Sequence, residues 1–169
     1  MTDSVINVVQ NSLWWLSPGA VFLSAVIGGF IALKSIKKQQ EIARRRATLD
    51  VILRSESETE YLKAYAVFRS EIECDRGLEH LIDARSDAER STKRAVDTFL
   101  NHYELIAIAI EKNILDDHFY KLWMKTAYIR HFDQAKGYID ALRTSGSPNA
   151  FTEYEKRVEA WRNGIRAKQ

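Results

Sequence analysis

The sequence is almost without cysteine, and its first fifth is almost without charge. The single cysteine, Cys74, excludes an intramolecular disulfide and a CxxC metal site, and it fits a reducing compartment. Between Met1 and Leu33 the only charged side chain is Asp3. The overall composition, with 46% hydrophobic residues, 28% charged residues and a net charge of +2, is that of an ordinary soluble domain. The informative feature is therefore how the residues are distributed.

An apolar stretch from Pro18 to Ile36 predicts a helix that crosses a membrane. A helix of this length rises roughly 28 Å, which is about the thickness of a hydrocarbon core. A cleavable signal peptide is the alternative, but the segment before the stretch has Asp3 and no positive charge, and Lys34, Lys37 and Lys38 follow immediately. We therefore expect a permanent transmembrane helix at residues 18–36.

The residues before this helix predict a short amphipathic segment at residues 1–17 that lies on the membrane surface. Its apolar side chains recur at helical spacing, and it ends with Trp14 and Trp15, which suit a membrane interface because the ring is buried while its N–H stays hydrated. Ser17 followed by Pro18 favours a break there. The alternative is a span that starts earlier, near Leu13.

Small residues recur on one face of the predicted span. Ser24, Gly28 and Ala32 are spaced by four residues, and Ala25 with Gly29 forms a second small pair beside them. Small side chains allow two helix backbones to approach closely, so this face predicts self-association or docking on a membrane-protein partner. The alternative is the ordinary abundance of glycine and alanine in membrane helices.

A basic segment without proline or glycine follows the span. Because it is rich in good helix formers, we expect the membrane helix to continue through residues 37–54 as a stalk. Its cations predict contacts with anionic lipid headgroups. Nucleic acid is the disfavoured partner, because a recognition motif and interleaved aromatic residues are missing. The predicted basic belt consists of Lys34, Lys37, Lys38, Arg44, Arg45 and Arg46.

The charge distribution also predicts an orientation. Residues 34–54 contain seven Lys or Arg side chains against Glu41 and Asp50, whereas the chain from Ser55 onward is slightly acidic. Cytoplasmic flanks of membrane helices are enriched in Lys and Arg. We therefore expect a single-pass protein of the bacterial inner membrane, with its N-terminus outside and its C-terminal part in the cytoplasm.

Apolar spacings of three and four predict a cytoplasmic helical bundle at residues 55–169, so the expected fold class is all-α. The most apolar cytoplasmic stretch, FLNHYELIAIAI at Phe99 to Ile110, is apolar almost all round and predicts the central helix. Thr152 and Glu155 have the spacing of a capping box. The predicted helices cover residues 55–73, 88–112, 117–130, 132–143 and 152–161, with a linker at residues 144–149. Asp116 or Asp117 is the expected N-cap of the third of these helices.

Three polar residues stand out in the predicted core. Asn101 and Glu104 lie three positions apart on the central helix, and a buried carboxylate must be paired or neutralised. We expect Arg130 to pair with Glu104 in a buried polar network. The functional alternative makes Glu104 a general base beside His102 or His131. No nucleophile, phosphate loop or metal-ligand spacing accompanies these residues, so no cofactor or metal is expected.

The order of four motifs resembles a known family. RRRATLD (Arg44 to Asp50), FLNHYELIAIAI, ILDDHFYKLWMKTAYIRHF (Ile114 to Phe132) and FTEYEKRVEAWR (Phe151 to Arg162) are similar to short membrane-anchored bacterial and phage proteins grouped as domain of unknown function DUF4760. The resemblance implies a membrane-tethered helical domain and no established catalytic activity. The family is expected to have a glycine near Asn113, and asparagine can adopt the same left-handed cap.

Three functions of different classes are compatible with these observations. The leading hypothesis is a non-enzymatic interaction module, such as an accessory subunit, scaffold or assembly factor, that acts with a membrane-protein partner or as a homo-oligomer. Because the proteins that the chain resembles include phage proteins, the alternative is interference with phage infection or DNA entry. The third hypothesis is a membrane-tethered enzyme that uses Glu104 with His102 or His131.

Overall fold

The computed structural model describes residues 16–74 and 77–164, and within these ranges it contains helices and no strand. The predicted all-α class is confirmed. Trp14, Trp15 and the rest of residues 1–15 lie outside the described residues. The helices are α1 (Leu16–Ser57), α2 (Thr59–Ile72), α3 (Asp87–Glu111), α4 (Asp117–Thr144) and α5 (Thr152–Arg162), with a 3-10 helix at Glu79–Asp83.

Helix α1 joins the apolar stretch to the basic segment without interruption, as expected from the lack of proline and glycine after Lys34. The described helix begins at Leu16 and includes Ser17 and Pro18, and the predicted segment before this point lies outside the described residues. Proline is tolerated in a first helical turn because the backbone N–H groups there have no intrahelical acceptor.

Contacts divide the chain after Ala43 into an N-terminal unit and a C-terminal unit that begins at Arg44. From Gly19 to Gln40 the N-terminal unit exposes every side chain, including large apolar ones such as Val21, Phe22 and Phe30. Among the described residues, α1 is the one helix that is long and apolar enough to cross a membrane.

The C-terminal unit contains a hydrophobic core built from all five helices and the 3-10 helix. The end of α1 contributes Thr48 and Ile52 to this core, so part of the predicted stalk packs within the unit. Helices α3 and α4 each contribute seven buried residues, and those of α3 are Val96, Phe99, Leu100, Tyr103, Ile106, Ala107 and Ile110.

Helix α3 is amphipathic rather than apolar all round. Leu105 and Ile108 are exposed, although both lie in the most apolar stretch of the helix. Its start is fixed by a capping box in which the Ser86 hydroxyl accepts from the Glu89 N–H. The N–H groups of Ser86 and Arg85 in turn lower the pKa of Glu89 to about 2, because both donate to its carboxylate.

The turn between α3 and α4 follows the sequence prediction. Asn113 has a φ of 56°, so it adopts the left-handed conformation expected at the end of α3. Asp116 is the N-cap of α4, and its carboxylate accepts from the N–H of Phe119 at 3.0 Å.

Helix α4 is one helix of 28 residues, whereas the sequence analysis divides this region near His131. The division is wrong because His131 and Phe132 are both buried and helical, and the core-facing spacing continues through Ala135 to Ile139. No proline lies within it, and its one glycine, Gly137, lies away from the predicted division and is helical.

The start of α5 also differs from the prediction. Its N-cap is Phe151, which has a φ of 55° and makes no side-chain capping hydrogen bond. The Thr152 hydroxyl donates to the Asn149 carbonyl, and the Glu155 carboxylate accepts from Arg143. The predicted capping box of Thr152 and Glu155 is therefore not formed.

Candidate functional site

The small-residue face of the N-terminal unit is open. Ser24, Ala25, Gly28, Gly29 and Ala32 are all exposed. A methyl group added to Gly28 or Gly29 would meet no atom within 4 Å, so no neighbouring element of the described chain requires glycine there. The sequence pattern thus identifies a surface that is available to another helix.

The predicted basic belt is divided between the two units. Lys34, Lys37 and Lys38 are exposed in the N-terminal unit. Arg44 and Arg46 belong to the C-terminal unit, where Arg44 is half-buried and Arg46 exposed. Arg45 contacts Asp116 through Nε and Oδ2 at 3.5 Å, and its side chain is otherwise largely exposed.

The predicted buried network of Asn101, Glu104 and Arg130 is wrong. Asn101 and Arg130 are exposed, and Glu104 is half-buried. The Glu104 carboxylate instead accepts hydrogen bonds from the backbone N–H groups of Glu153 and Tyr154, at 3.2 and 2.7 Å. These are donors at the start of α5, which have no acceptor inside that helix. Glu104 therefore acts as an N-terminal cap supplied by another helix.

The two histidines of the enzyme hypothesis have separate environments. The His102 Nε2 lies 3.1 Å from the Ser55 hydroxyl, and the His131 Nδ1 lies 2.9 Å from the Tyr103 hydroxyl. Burial lowers the pKa of both rings, and that of His131 falls to about 4 because of burial and then the nearby Arg130. Within the described chain, no hydrogen bond joins either ring to Glu104.

Buried tyrosines connect three helices through their hydroxyl groups. The Tyr154 hydroxyl of α5 donates to the Tyr128 carbonyl of α4 at 2.7 Å, and the Tyr128 hydroxyl donates to the Tyr103 carbonyl of α3 at 3.1 Å. Burial raises the pKa of all three well above the usual value for tyrosine. These phenols remain protonated at neutral pH, so they act as hydrogen-bond donors rather than as bases.

Arg157 is a buried cation that the sequence analysis does not single out. Its side chain is 6% exposed, and it contacts Glu111 at 3.1 Å and Asp117 at 3.4 Å. Asp117 also accepts from the Trp161 indole at 2.8 Å. This cluster joins α5 to the end of α3 and the start of α4. Its residues lie far apart in sequence, so spacing alone contains no signal for it.

An apolar groove lies on the C-terminal unit between the end of α1 and the start of α4. Leu122 and Trp123 are 72% and 60% exposed there, and Glu56 is the charged residue in the lining. The groove has a volume of about 400 Å³. It is lined by Leu49, Ile52, Leu53, Glu56, Phe119, Leu122 and Trp123.

Metal-binding arrangements are lacking in the described part of the chain, where no three His, Cys, Asp or Glu side chains are grouped to hold an ion. A family model described as a domain of unknown function, DUF4760, matches residues 22–161. No curated protein and no solved structure matches the chain.

Proposed function

This chain belongs to the DUF4760 family, whose description assigns no activity, and we propose from its own geometry that it is a non-enzymatic, membrane-tethered interaction module. The span at residues 18–36 would hold the chain in the bacterial inner membrane, with the N-terminus outside. The helical C-terminal unit would lie at the cytoplasmic face, where it acts as a scaffold, accessory subunit or assembly factor.

The exposed apolar surface of α1 carries this proposal. Side chains as large as Phe22, Phe30 and Leu33 are exposed in its N-terminal part, where no element of the described residues covers them. A helix that is apolar on all sides is stable only when protein or lipid surrounds it. The cations that follow it, beginning with Lys34 and Lys37, support the cytoplasmic orientation of the C-terminal unit.

The occupant proposed for the apolar groove is a second copy of this chain. Leu122, Trp123 and Leu53 leave more than half of their surface exposed there, so the groove presents contiguous large apolar side chains of the kind that mark an interaction site. A shared span also confines copies to one plane, which raises their effective concentration.

Crosslinking of the full-length protein in membranes tests self-association. We expect Gly28→Leu to reduce the dimer, because a bulky side chain separates the two helix backbones. We expect Leu122→Glu to reduce it as well, because a carboxylate cannot be buried unpaired in the groove. A several-fold loss of crosslinked dimer on a gel is the expected result for each.

Two matched variants serve as controls. Gly19 lies nine residues before Gly28, which places it on the opposite side of the helix, and Gly19→Leu should leave the dimer unchanged. Leu105 is 63% exposed on α3, outside the groove, and Leu105→Glu should also have no effect. Dimer levels that are equal in wild type, Gly28→Leu and Leu122→Glu would contradict the proposed homo-oligomer.

A further inference from the structure

A second cleft of the C-terminal unit has a different chemical character from the apolar groove. It lies between α2 and α4 and has a volume of about 370 Å³, within the usual range for small-molecule sites. Polar and charged side chains from both helices dominate its lining. The lining residues are Tyr65, Arg69, Ile72, Glu73, Arg130, His131 and Gln134.

Two guanidinium groups enter this cleft from opposite sides. Arg69 of α2 donates through Nε to Glu73 at 2.9 Å, and its guanidinium also interacts with the neighbouring Tyr65 hydroxyl. The fork has further N–H donors on its terminal nitrogens for a ligand. Arg130 of α4 is exposed and makes no ion pair within the described chain. With two cations against the single carboxylate of Glu73, the cleft has an excess of positive charge.

His131 forms the inner wall between these cations. Its side chain is 4% exposed, and its Nδ1 already contacts the Tyr103 hydroxyl at 2.9 Å. Nε2 is therefore the ring nitrogen left for a ligand. An anion would favour the tautomer that carries the proton on Nε2, in which the Tyr103 hydroxyl donates to Nδ1. The amide of Gln134 and the hydroxyl of Tyr65 add two further donors.

We propose that this cleft binds a phosphoryl group, held by the guanidinium groups of Arg69 and Arg130 and by the imidazole of His131. Planar guanidinium forks match the oxygens of phosphate, and hydrogen bonds to an anion are stronger than neutral ones. The cleft is larger than a phosphate ion, so it also accommodates the group to which the phosphate is attached. That group belongs either to a soluble phosphate ester or to a lipid headgroup.

Phosphate titration of the full-length protein in a phosphate-free maltoside detergent tests this site. Inorganic phosphate is added at constant ionic strength while the imidazole resonance of His131 is followed by NMR. We expect a saturable shift of that resonance and a rise in the pKa of His131, because a nearby anion favours the charged ring. We expect Arg130→Gln to weaken the apparent affinity about tenfold or more, since one charge-assisted contact is lost.

Two control variants separate this site from other cations. Arg94→Gln removes an exposed arginine of α3, and Lys37→Gln removes a cation of the basic belt. Both should bind phosphate as the wild type does. Arg69→Gln, the other variant within the proposed site, should weaken phosphate binding as Arg130→Gln does. Circular dichroism should show that all variants keep the helical content of the wild type.

Competition identifies the source of the phosphoryl group. Glycerol 3-phosphate in solution and phosphatidic acid in the micelle are each added to the phosphate-bound protein. Displacement by either one supports the site, and the compound that displaces phosphate identifies a soluble or a lipid source. The proposal is overturned if wild type shows no saturable shift, or if Arg130→Gln and Arg69→Gln both bind as wild type does.

Discussion

At the scale of single residues, Glu104 shows how a polar side chain is used by an element distant in sequence. Its carboxylate lies on α3 and accepts from two N–H groups at the start of α5, which follows about fifty residues later. The N-terminus of a helix attracts negative charge, because its N–H groups are unpaired and the helix dipole is positive there. Phe151, the N-cap itself, supplies no acceptor.

Replacing Glu104 tests this capping role. Glu104→Ala should lower the free energy of unfolding by about 1–3 kcal/mol, because two N–H groups lose their acceptor. Glu104→Gln should cost less, since one amide oxygen remains. The measurement is urea unfolding of the full-length protein in detergent, followed by far-UV circular dichroism.

Asn101 provides the matched control for Glu104. It lies one turn earlier on α3, it is exposed, and Asn101→Ala should change the unfolding free energy by less than about 0.5 kcal/mol. Equal stability of Glu104→Ala and Asn101→Ala would show that the two backbone hydrogen bonds contribute nothing measurable.

At the scale of elements, the C-terminal end of α1 is attached to the start of α4 through Thr48. The Thr48 hydroxyl donates to the Arg44 carbonyl and accepts from the Asp116 N–H, both at 2.8 Å. Thr48 is fully buried, so water cannot replace it as the acceptor. This hydrogen bond joins residues 68 positions apart and fixes where the two helices meet.

Replacing Thr48 tests this junction. Thr48→Val keeps the shape of the side chain but leaves the buried Asp116 N–H without an acceptor, so it should destabilise the C-terminal unit by about 1–3 kcal/mol. Thr48→Ser keeps the hydroxyl and should retain most of the stability. The stabilities of Thr48→Val and Thr48→Ser are compared by thermal unfolding, monitored by circular dichroism. A valine variant as stable as the serine variant would contradict the assigned role.

At the scale of the whole molecule, the proposed topology predicts where each end of the chain is accessible. Cys74 is the only cysteine and is exposed, so it reports on the C-terminal unit without further engineering. In spheroplasts, a membrane-impermeant maleimide should label Cys74 only after permeabilisation. A variant with Cys74→Ser and Ser4→Cys has its only cysteine before the span. This cysteine should be labelled in intact spheroplasts, before permeabilisation. Labelling of Cys74 in intact spheroplasts would contradict the proposed orientation.

Local patterns in the sequence determined the helical class, the left-handed turn at Asn113, the cap at Asp116 and the uninterrupted course of α1. These features depend on residues within one or two helical turns, so propensity and spacing are sufficient to predict them. The same is true of the capping box at Ser86 and Glu89, whose spacing is present in the sequence.

Only the tertiary structure decided which polar residues meet. Glu104 caps α5, Arg157 contacts Glu111 and Asp117, and Arg130 reaches the cleft rather than the core. Each of these arrangements joins helices far apart in the chain. A carboxylate or a guanidinium can be satisfied equally well by a backbone group, an ion pair or solvent, and its own sequence neighbours do not distinguish these outcomes. The packing of α3, α4 and α5 determines which partner is within reach.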